Sequence, residues 1–513
     1  MTHLPPLIEA MLTPAFYAHA VSEPIHAVQT HISYVVLTGD YAYKIKKPVD
    51  LGFLDFSTLE KRRHFCSEEL HLNKLFAPAL YIEVASIVET DGGYRFARPG
   101  EENNAVEYAV RMKQFEERQL LLNVFNRGEL TEERMVEIAA KLAALHAQSH
   151  TDASIAEFGR PESIAAMAEE NYKHVRPFIG TTQGESQFRE TKAFTDRFIR
   201  ENGAIFERRI AEGMIRECHG DLHLNNICIF EGRIEFFDRI EFNDLFKNID
   251  VMYDLAFLMM DLQYRGRPDF ANVLVNTYIE RTGDYEGALL LPLYLSMRAY
   301  VRGKVHSILQ ADEHLDATDR GAALNEAKSY FEHAWEYTRP KPGRVICMSG
   351  LSGSGKSTIA RRLAQPLDAL HLRSDAVRKH LAGVPLEETD ESLYTEEMTR
   401  RTYTELARLG LRLAGEGFSV ILDAKYDRLE QRREVIEGAE ERGVPLKFLL
   451  CTTDVSTLKQ RLRDRVADVS DATGDLVDRQ AAEFEDFSDA ERALTIEVDT
   501  TAPVDYHRLA GEL

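Results

Sequence analysis

The chain has 513 residues, of which 44% are hydrophobic and 28% charged, and its 84 acidic against 62 basic side chains leave a formal net charge of −22. That length predicts two or three domains, the composition argues against wholesale disorder, and the acidic surface disfavours an extended nucleic-acid partner unless one basic groove overrides the mean field. Five scattered cysteines without a C-x-x-C pair, and no run of about 18 apolar residues, point away from disulfides, zinc, export and a membrane span, and toward a cytoplasmic setting.

In chain order, the region from about Ala27 to Thr90 opens with short β-rich runs broken by turns; in THISYVVLTGDYAYKIKKP, Thr38-Gly39-Asp40 reads as the turn of a hairpin. A charged helical stretch from about Thr58 to Leu75 lies within that region. From Thr131 to Gln148 apolar residues recur at helical spacing, and most of the chain to Trp335 continues that way. Residues 1–338 are therefore expected as one domain, with a small β-rich lobe over about 25–115 and a larger helical lobe over about 116–338. Thr338-Arg339-Pro340-Lys341-Pro342-Gly343 breaks any helix and offers little to bury, which puts a linker at 339–344. Over 345–513, strand-like RVICMSG, FSVILDA and LKFLLCT alternate with helical stretches such as KSTIARRLA, the pattern of a parallel α/β domain.

The first chemical constellation is His219-Gly220-Asp221-Leu222-His223-Leu224-Asn225-Asn226, followed by a strand, Ile234-Glu235-Phe236-Phe237, that ends at Asp238. The spacing reproduces H-x-D-x-x-x-x-N and then a strand-end aspartate. Phosphoryl transfer needs a carboxylate beside the acceptor hydroxyl, here Asp221, and oxygen ligands that hold metal against the phosphates, here Asn226 and Asp238. HGDLHLNN resembles the loop of the aminoglycoside phosphotransferase branch of the kinase-like fold, over about residues 25–335 and most closely from Cys218 to Asp261. The resemblance implies a phosphate-contacting lysine, Lys44 or alternatively Lys46, paired with a helix glutamate, Glu69. It also implies an adenine-binding hinge around Met112-Lys113-Gln114 and a buttressing role for Asp250 and Asp254. Two departures stand out. No G-x-G-x-x-G covers the phosphates, which predicts weaker nucleotide binding. Phe237-Asp238-Arg239 stands where the family of kinases has Asp-Phe-Gly, with no Ala-Pro-Glu after it, which favours a small acceptor over a protein.

The second constellation is Gly350-Leu351-Ser352-Gly353-Ser354-Gly355-Lys356-Ser357-Thr358, a match to G-x-x-x-x-G-K-[ST] placed between a strand and a helix. Its glycines let backbone N–H groups converge on phosphate oxygens, Lys356 neutralises the terminal phosphates, and Ser357 is a Mg²⁺ ligand. Beyond the next strand, His371-Leu372-Arg373-Ser374-Asp375-Ala376-Val377-Arg378 sets Asp375 and Arg378 on one helical face, as proton acceptor and substrate or phosphoryl clamp. The same spacing suits a capping aspartate with a solvated arginine. Asp423 ends the strand Val420-Ile421-Leu422 where it can organise Mg²⁺, and no glutamate follows it, which favours transfer over hydrolysis. Arg461 and Arg465 share a helical face, as a phosphate-clamping lid requires and as a charge-laced surface helix equally allows. Together with Ser470-Asp471-Ala472 these motifs resemble the P-loop small-molecule and polynucleotide kinase group, akin to gluconate kinase, zeta-toxin kinases and polynucleotide 5′-kinase, over about residues 344–513. That resemblance implies ATP and Mg²⁺ and leaves the acceptor open.

The expected class is thus mixed: an α+β, protein-kinase-like domain followed by an α/β P-loop domain with a parallel sheet. The expected activity is a bifunctional ATP-dependent kinase acting on hydroxyl groups of small molecules. Two alternatives stay open: a polynucleotide 5′-hydroxyl kinase in the C-terminal domain, and a ligand-sensing first half that regulates a P-loop switch. The oligomeric state is not legible in the residues.

Overall fold

The structure, a computed structural model, describes residues 4–52, 54–463 and 476–513. It divides into two compact units: Met1–Glu137 with Ala144–Pro177 and Lys192–Asp261, and Ile138–Ala143 with Phe178–Thr191 and Leu262–Leu513.

The first unit carries an antiparallel sheet of β1 (His26–Gln29), β2 (Ser33–Leu37), β3 (Tyr41–Lys46), β4 (Tyr81–Thr90), β5 (Gly93–Phe96) and β6 (Ala105–Lys113), in the order β1-β2-β3-β6-β4-β5. β3 is paired along both edges and, beyond Tyr41, buried on both faces, which its period of two sorts. Tyr43 and Ile45 join a cluster with Ile8, Met11, Val36, Ile87 and Ala109, while Lys44 and Lys46 point to the helix Leu59–Phe76. Thr58 caps that helix by accepting the Lys61 N–H, and Cys66 on it packs with Tyr81, Tyr108 and Val110 of the sheet. Further on, β7 (Ile215–Glu217) pairs with β10 (Asn248–Asp250), and β8 (Ile227–Phe230) forms a hairpin with β9 (Arg233–Phe236). β7 therefore delivers the chain to the 218–226 loop, and β9 delivers it to Asp238.

In the second unit the helices Leu291–Gln310 and Ala317–Glu336 precede a segment, 337–343, with neither helix nor strand. Then follow β11 (Arg344–Ser349), β12 (Leu370–Arg373), β13 (Ser419–Asp423), β14 (Leu446–Thr452) and β15 (Thr495–Asp499), all parallel, in the order β12-β13-β11-β14-β15. The strands of a parallel sheet are covered on both faces, which is why they read as apolar runs; Ile346, Met348, Ile421 and Leu449 share a core with Ile359, Ala360 and Leu363 of the following helix Lys356–Leu367. His371 and Arg373, expected just past a strand, lie on β12 itself, where pairing with β13 supplies order that local propensity does not. The fold class is the expected mixed one: an α+β unit built on an antiparallel sheet, then a unit with a parallel sheet between helices. Among the described residues no helix is long and apolar enough to cross a membrane, and all five cysteines are buried, none of them in a disulfide.

Candidate functional site

The 218–226 loop is held from below by two aspartates. Asp254 accepts the N–H groups of His219 (3.0 Å) and Gly220 (2.9 Å) and meets His146 Nε2 at 3.1 Å; Asp261 accepts the Leu224 N–H at 3.0 Å. Gly220 has φ +86°, and a Cβ there would lie 2.6 Å from the Phe246 carbonyl, so only glycine makes this bend. Burial lowers the His219 pKa, and the neutral ring bridges the loops: Nε2–H donates to the Phe237 carbonyl at 2.9 Å and Nδ1 accepts the Asp221 N–H at 3.3 Å. Asn226 Nδ2 donates to the Asp221 carbonyl (2.9 Å) and carboxylate (3.0 Å), so that any ligand role would fall to its amide oxygen. His223 Nε2, not singled out from the sequence, lies 3.4 Å from the Asp221 carboxylate. Asp250, expected to buttress the loop together with Asp254, instead ends β10 and binds Arg209 through two hydrogen bonds of 2.6 and 2.8 Å.

Asp238 follows β9 with φ +62°, its N–H donating to the Tyr81 hydroxyl at 3.1 Å. Lys44 Nζ joins Glu69 (2.8 Å) to Asp238, and Lys46 Nζ joins the other Glu69 oxygen (2.7 Å) to Glu241. The two lysines, left as alternatives by the sequence, thus share one fully buried glutamate but differ in outlook: Lys44 reaches the half-exposed Asp238 and Lys46 reaches a buried carboxylate. Burial pushes the Glu69 carboxyl up, but the two ammonium groups outweigh it and hold it at about 2. The same carboxylates keep both lysines above their ordinary range against the pull of burial. Arg239, standing in the departure from Asp-Phe-Gly, is buried and donates to the carbonyls of Cys218 (2.7 Å), Leu72 (3.2 Å) and Glu217, while its N–H donates to Asn73 at 2.9 Å. In the sequence Arg239 shows only as the departure from Asp-Phe-Gly, and Glu241 only as charge within the apolar run IEFFDRIEF, because the partners of both are distant in the chain. Met112 lies on β6 and packs against the Cys66 cluster. Gln114 beyond it accepts the Gly39 N–H at 2.9 Å, tying the expected hinge to the β2–β3 turn.

In the second unit the loop 350–355 joins β11 to the helix that begins at Lys356. Gly350 has φ +129°, and a Cβ there would sit 2.4 Å from the Cys451 carbonyl of β14. Gly353 and Gly355 also have positive φ, and Thr500 Oγ1 donates to the Ser354 carbonyl at 2.8 Å. Lys356 Nζ donates to the carbonyls of Gly350 and Leu351, both at 2.9 Å. The Ser352 N–H donates to Gln480, a residue the sequence did not flag, at 3.1 Å. Ser357 is partly buried and hydrogen-bonds to Asp423, whereas Thr358 is exposed. Burial opposes ionisation of Asp423, yet the His371 hydrogen bond (3.1 Å), the Arg373 charge and the Ser357 hydroxyl hold it at about 2. Arg378 Nη1 donates to Asp375 at 2.8 Å, and its guanidinium lies 4.5 Å from the Tyr394 ring centre. Arg461 does not extend away as a free clamp: it donates to Thr500 Oγ1 (3.0 Å) and the Thr500 carbonyl (2.7 Å), beside the Gly353 carbonyl at 3.5 Å. Arg465 and Ser470-Asp471-Ala472 lie outside the described residues.

Both donor sets suit a hard, oxygen-seeking divalent cation such as Mg²⁺: an amide oxygen and a carboxylate at Asn226 and Asp238, a hydroxyl and a carboxylate at Ser357 and Asp423.

Residues 345–487 match the AAA domain family. Among solved structures, a choline/ethanolamine kinase family protein from Mesorhizobium loti is similar over 65% of this chain and 99% of its own, at 11% identity and a TM-score of 0.38. A sugar kinase from Janibacter sp. HTCC2649 is similar over 33% of this chain and 92% of its own, at 23% identity and a TM-score of 0.25. The sequence is 30% identical over 494 residues to Uncharacterized protein Rv2004c of Mycobacterium tuberculosis (strain ATCC 25618 / H37Rv). With that identity sustained over 95% of both chains, the protein belongs to the same family as mycobacterial Rv2004c.

Proposed function

We propose that the chain is a bifunctional ATP-dependent phosphotransferase, one site in the residues before the 339–344 segment and one after it, each moving the γ-phosphoryl of ATP to a hydroxyl of a small molecule. The observation that supports this most is that motif residues distant in the chain or in separate motifs pair with one another: Lys44 with Asp238 and Asn226 with Asp221 in one half, Ser357 with Asp423 in the other. In the first, Asp221 takes the proton of the acceptor hydroxyl as its oxygen bonds the γ-phosphorus and the bond to the ADP oxygen breaks, while Lys44, oriented by Glu69, neutralises phosphate charge. In the second, Asp375 takes that proton, Arg378 holds the acceptor or the moving group, Lys356 exchanges the loop carbonyls for phosphate oxygens, and Arg461 closes over the loop. Asn226 and Asp238 in the first site, and Ser357 and Asp423 in the second, would hold Mg²⁺, which would supply neutralisation of the triphosphate charge. Asp238 and Arg239 are pinned on both sides, which suits a site that is always assembled and an acceptor that is a small molecule. Cysteines outside any disulfide suit the cytoplasm.

A second reading has one observation in its favour. The β1–β2 turn at Thr30–Ile32 has no glycine and is tied down by Lys47 donating to the Thr30 carbonyl, so the first half has no flexible cover for phosphates and would act as a ligand-sensing regulator. The test is a γ-labelled ATP screen against pooled sugars, aminoglycosides, metabolites and oligonucleotides, comparing wild type with Asp221→Asn and Lys356→Ala. Loss of a different labelled product in each variant is the expected result. If only Lys356→Ala matters, the first half is regulatory, and if the product lost is an oligonucleotide, the P-loop half is a 5′-hydroxyl kinase. No labelled product from any acceptor overturns the proposal.

A further inference from the structure

β12 is the outermost strand of the parallel sheet, with β13 as its one strand neighbour. An edge strand leaves one row of backbone groups without a ladder partner. Here the row is met by a helix: on Pro268–Thr282, Asn272 and Asn276 each donate through Nδ2 to the Ala369 carbonyl at 3.0 Å, and Asn276 Oδ1 accepts the His371 N–H at 2.7 Å. Two asparagines four residues apart, on one helical face, thereby replace a missing strand. One turn further on that face, Glu280 Oε1 lies 3.6 Å from Arg373 Nη1, and the Glu280 carbonyl accepts from His380 Nε2 at 2.8 Å.

The two β12 residues reached by this helix are the two that hold Asp423. His371 and Arg373 sit at i and i+2, on one face of the strand, with His371 Nε2 at 3.1 Å and Arg373 Nε at 3.9 Å from the same carboxylate oxygen, Oδ2. Asp423 is buried and turned to Ser357 of the P-loop. A continuous series of contacts thus runs from Asn276 through the His371 backbone, and from Glu280 through the Arg373 guanidinium, to Asp423.

We propose that Asn276 and Glu280 are positioning residues of the P-loop site, so that the helix 268–282, which precedes the 339–344 segment in the chain, sets the Asp423 carboxylate for Mg²⁺–nucleotide. The inference rests on Asp423 serving as a metal carboxylate, the reading proposed above. Partners that orient a metal ligand from outside its first coordination shell are worth about 10–100-fold in metal affinity.

The experiment measures binding of a fluorescent ADP analogue to the full chain, with and without Mg²⁺, in a Lys44→Met/Asp238→Asn background that silences the first site. Its readout is the gain in affinity that Mg²⁺ brings, with Asp423→Asn as the reference. Glu280→Gln is expected to cut that gain roughly tenfold while leaving metal-free binding and the melting temperature unchanged. Combining it with Arg373→Gln is expected to add nothing to Arg373→Gln alone, because Glu280 acts through Arg373. Asn276→Ala is the second variant, read in the same way should Glu280→Gln fold poorly. An unchanged Mg²⁺ gain in both variants, with Asp423→Asn losing it, overturns this inference alone. If Asp423→Asn keeps the gain, the P-loop metal reading falls and takes the inference with it.

Discussion

Lys46 offers a test in which stability and chemistry separate. Its ammonium is buried, with 1% of the side chain exposed, between Glu69 and a Glu241 side chain that is 3% exposed. Lys46→Met leaves Glu69 its Lys44 partner but strands Glu241 as an uncompensated buried charge, a loss of about 3–5 kcal/mol. At about 2–4 °C per kcal/mol for a unit of this size, the melting transition falls by roughly 6–20 °C. Calorimetry on the full chain reads the fall, and hydrogen exchange in β3 and in the helix Leu59–Phe76 assigns it to this sheet. Lys46→Met/Glu241→Met, which removes both charges, is expected to regain at least half of the loss. Lys44→Met behaves differently: its other partner, Asp238, is 46% exposed and can be solvated, so nucleotide binding fails while the melting temperature moves less. A Lys46→Met transition within about 3 °C of wild type, or a double variant worse than the single one, would refute the account of Lys46 as a buried structural cation.

Glu69 carries the pH dependence of the same network. Its folded pKa of about 2 lies below the ordinary 4.5, so its contribution of about 3 kcal/mol is complete above pH 4.5 and is lost as the pH falls through 2; circular dichroism from pH 6 to 2 should show that slope flattened in Glu69→Gln. Gly350→Ala forces a Cβ to within 2.4 Å of the Cys451 carbonyl at a φ of +129°, with about 1–3 kcal/mol of backbone strain, and abolishes the P-loop product while sparing the other in the labelled-ATP screen. Asp254→Ala orphans the buried N–H groups of His219 and Gly220, costing about 1–3 kcal/mol for each in urea unfolding and removing the product that depends on Asp221.

The residues of both constellations were legible because each motif compresses a complete local device into one stretch. The loop from His219 to Asn226 and the loop from Gly350 to Thr358 contain their own glycines, donors and acceptors, so spacing along the chain equals spacing in the fold. The lysine question had no local answer: Lys44 and Lys46 share a strand face, and only Asp238 and Glu241, nearly two hundred residues away, tell them apart. Arg239 read as a lapse from a familiar tripeptide, yet it ties Cys218, Leu72 and Glu217 together through contacts that no periodicity encodes. His371 and Arg373 stand out less in the sequence than Asp375 and Arg378 because a four-residue strand has too few residues to display alternation. Asn272 and Asn276 were equally silent, since a polar residue on a helix usually meets water.

The asparagine pair on the helix 268–282 also bears on solubility. A truncation beginning at Arg344 would strip the helix from β12 and leave the Ala369 carbonyl and His371 N–H without their asparagine partners. Such an exposed rim recruits strands from other molecules, so a fragment cut at the proline-rich segment is expected to self-associate, whereas one that starts ahead of Pro268 keeps its rim covered.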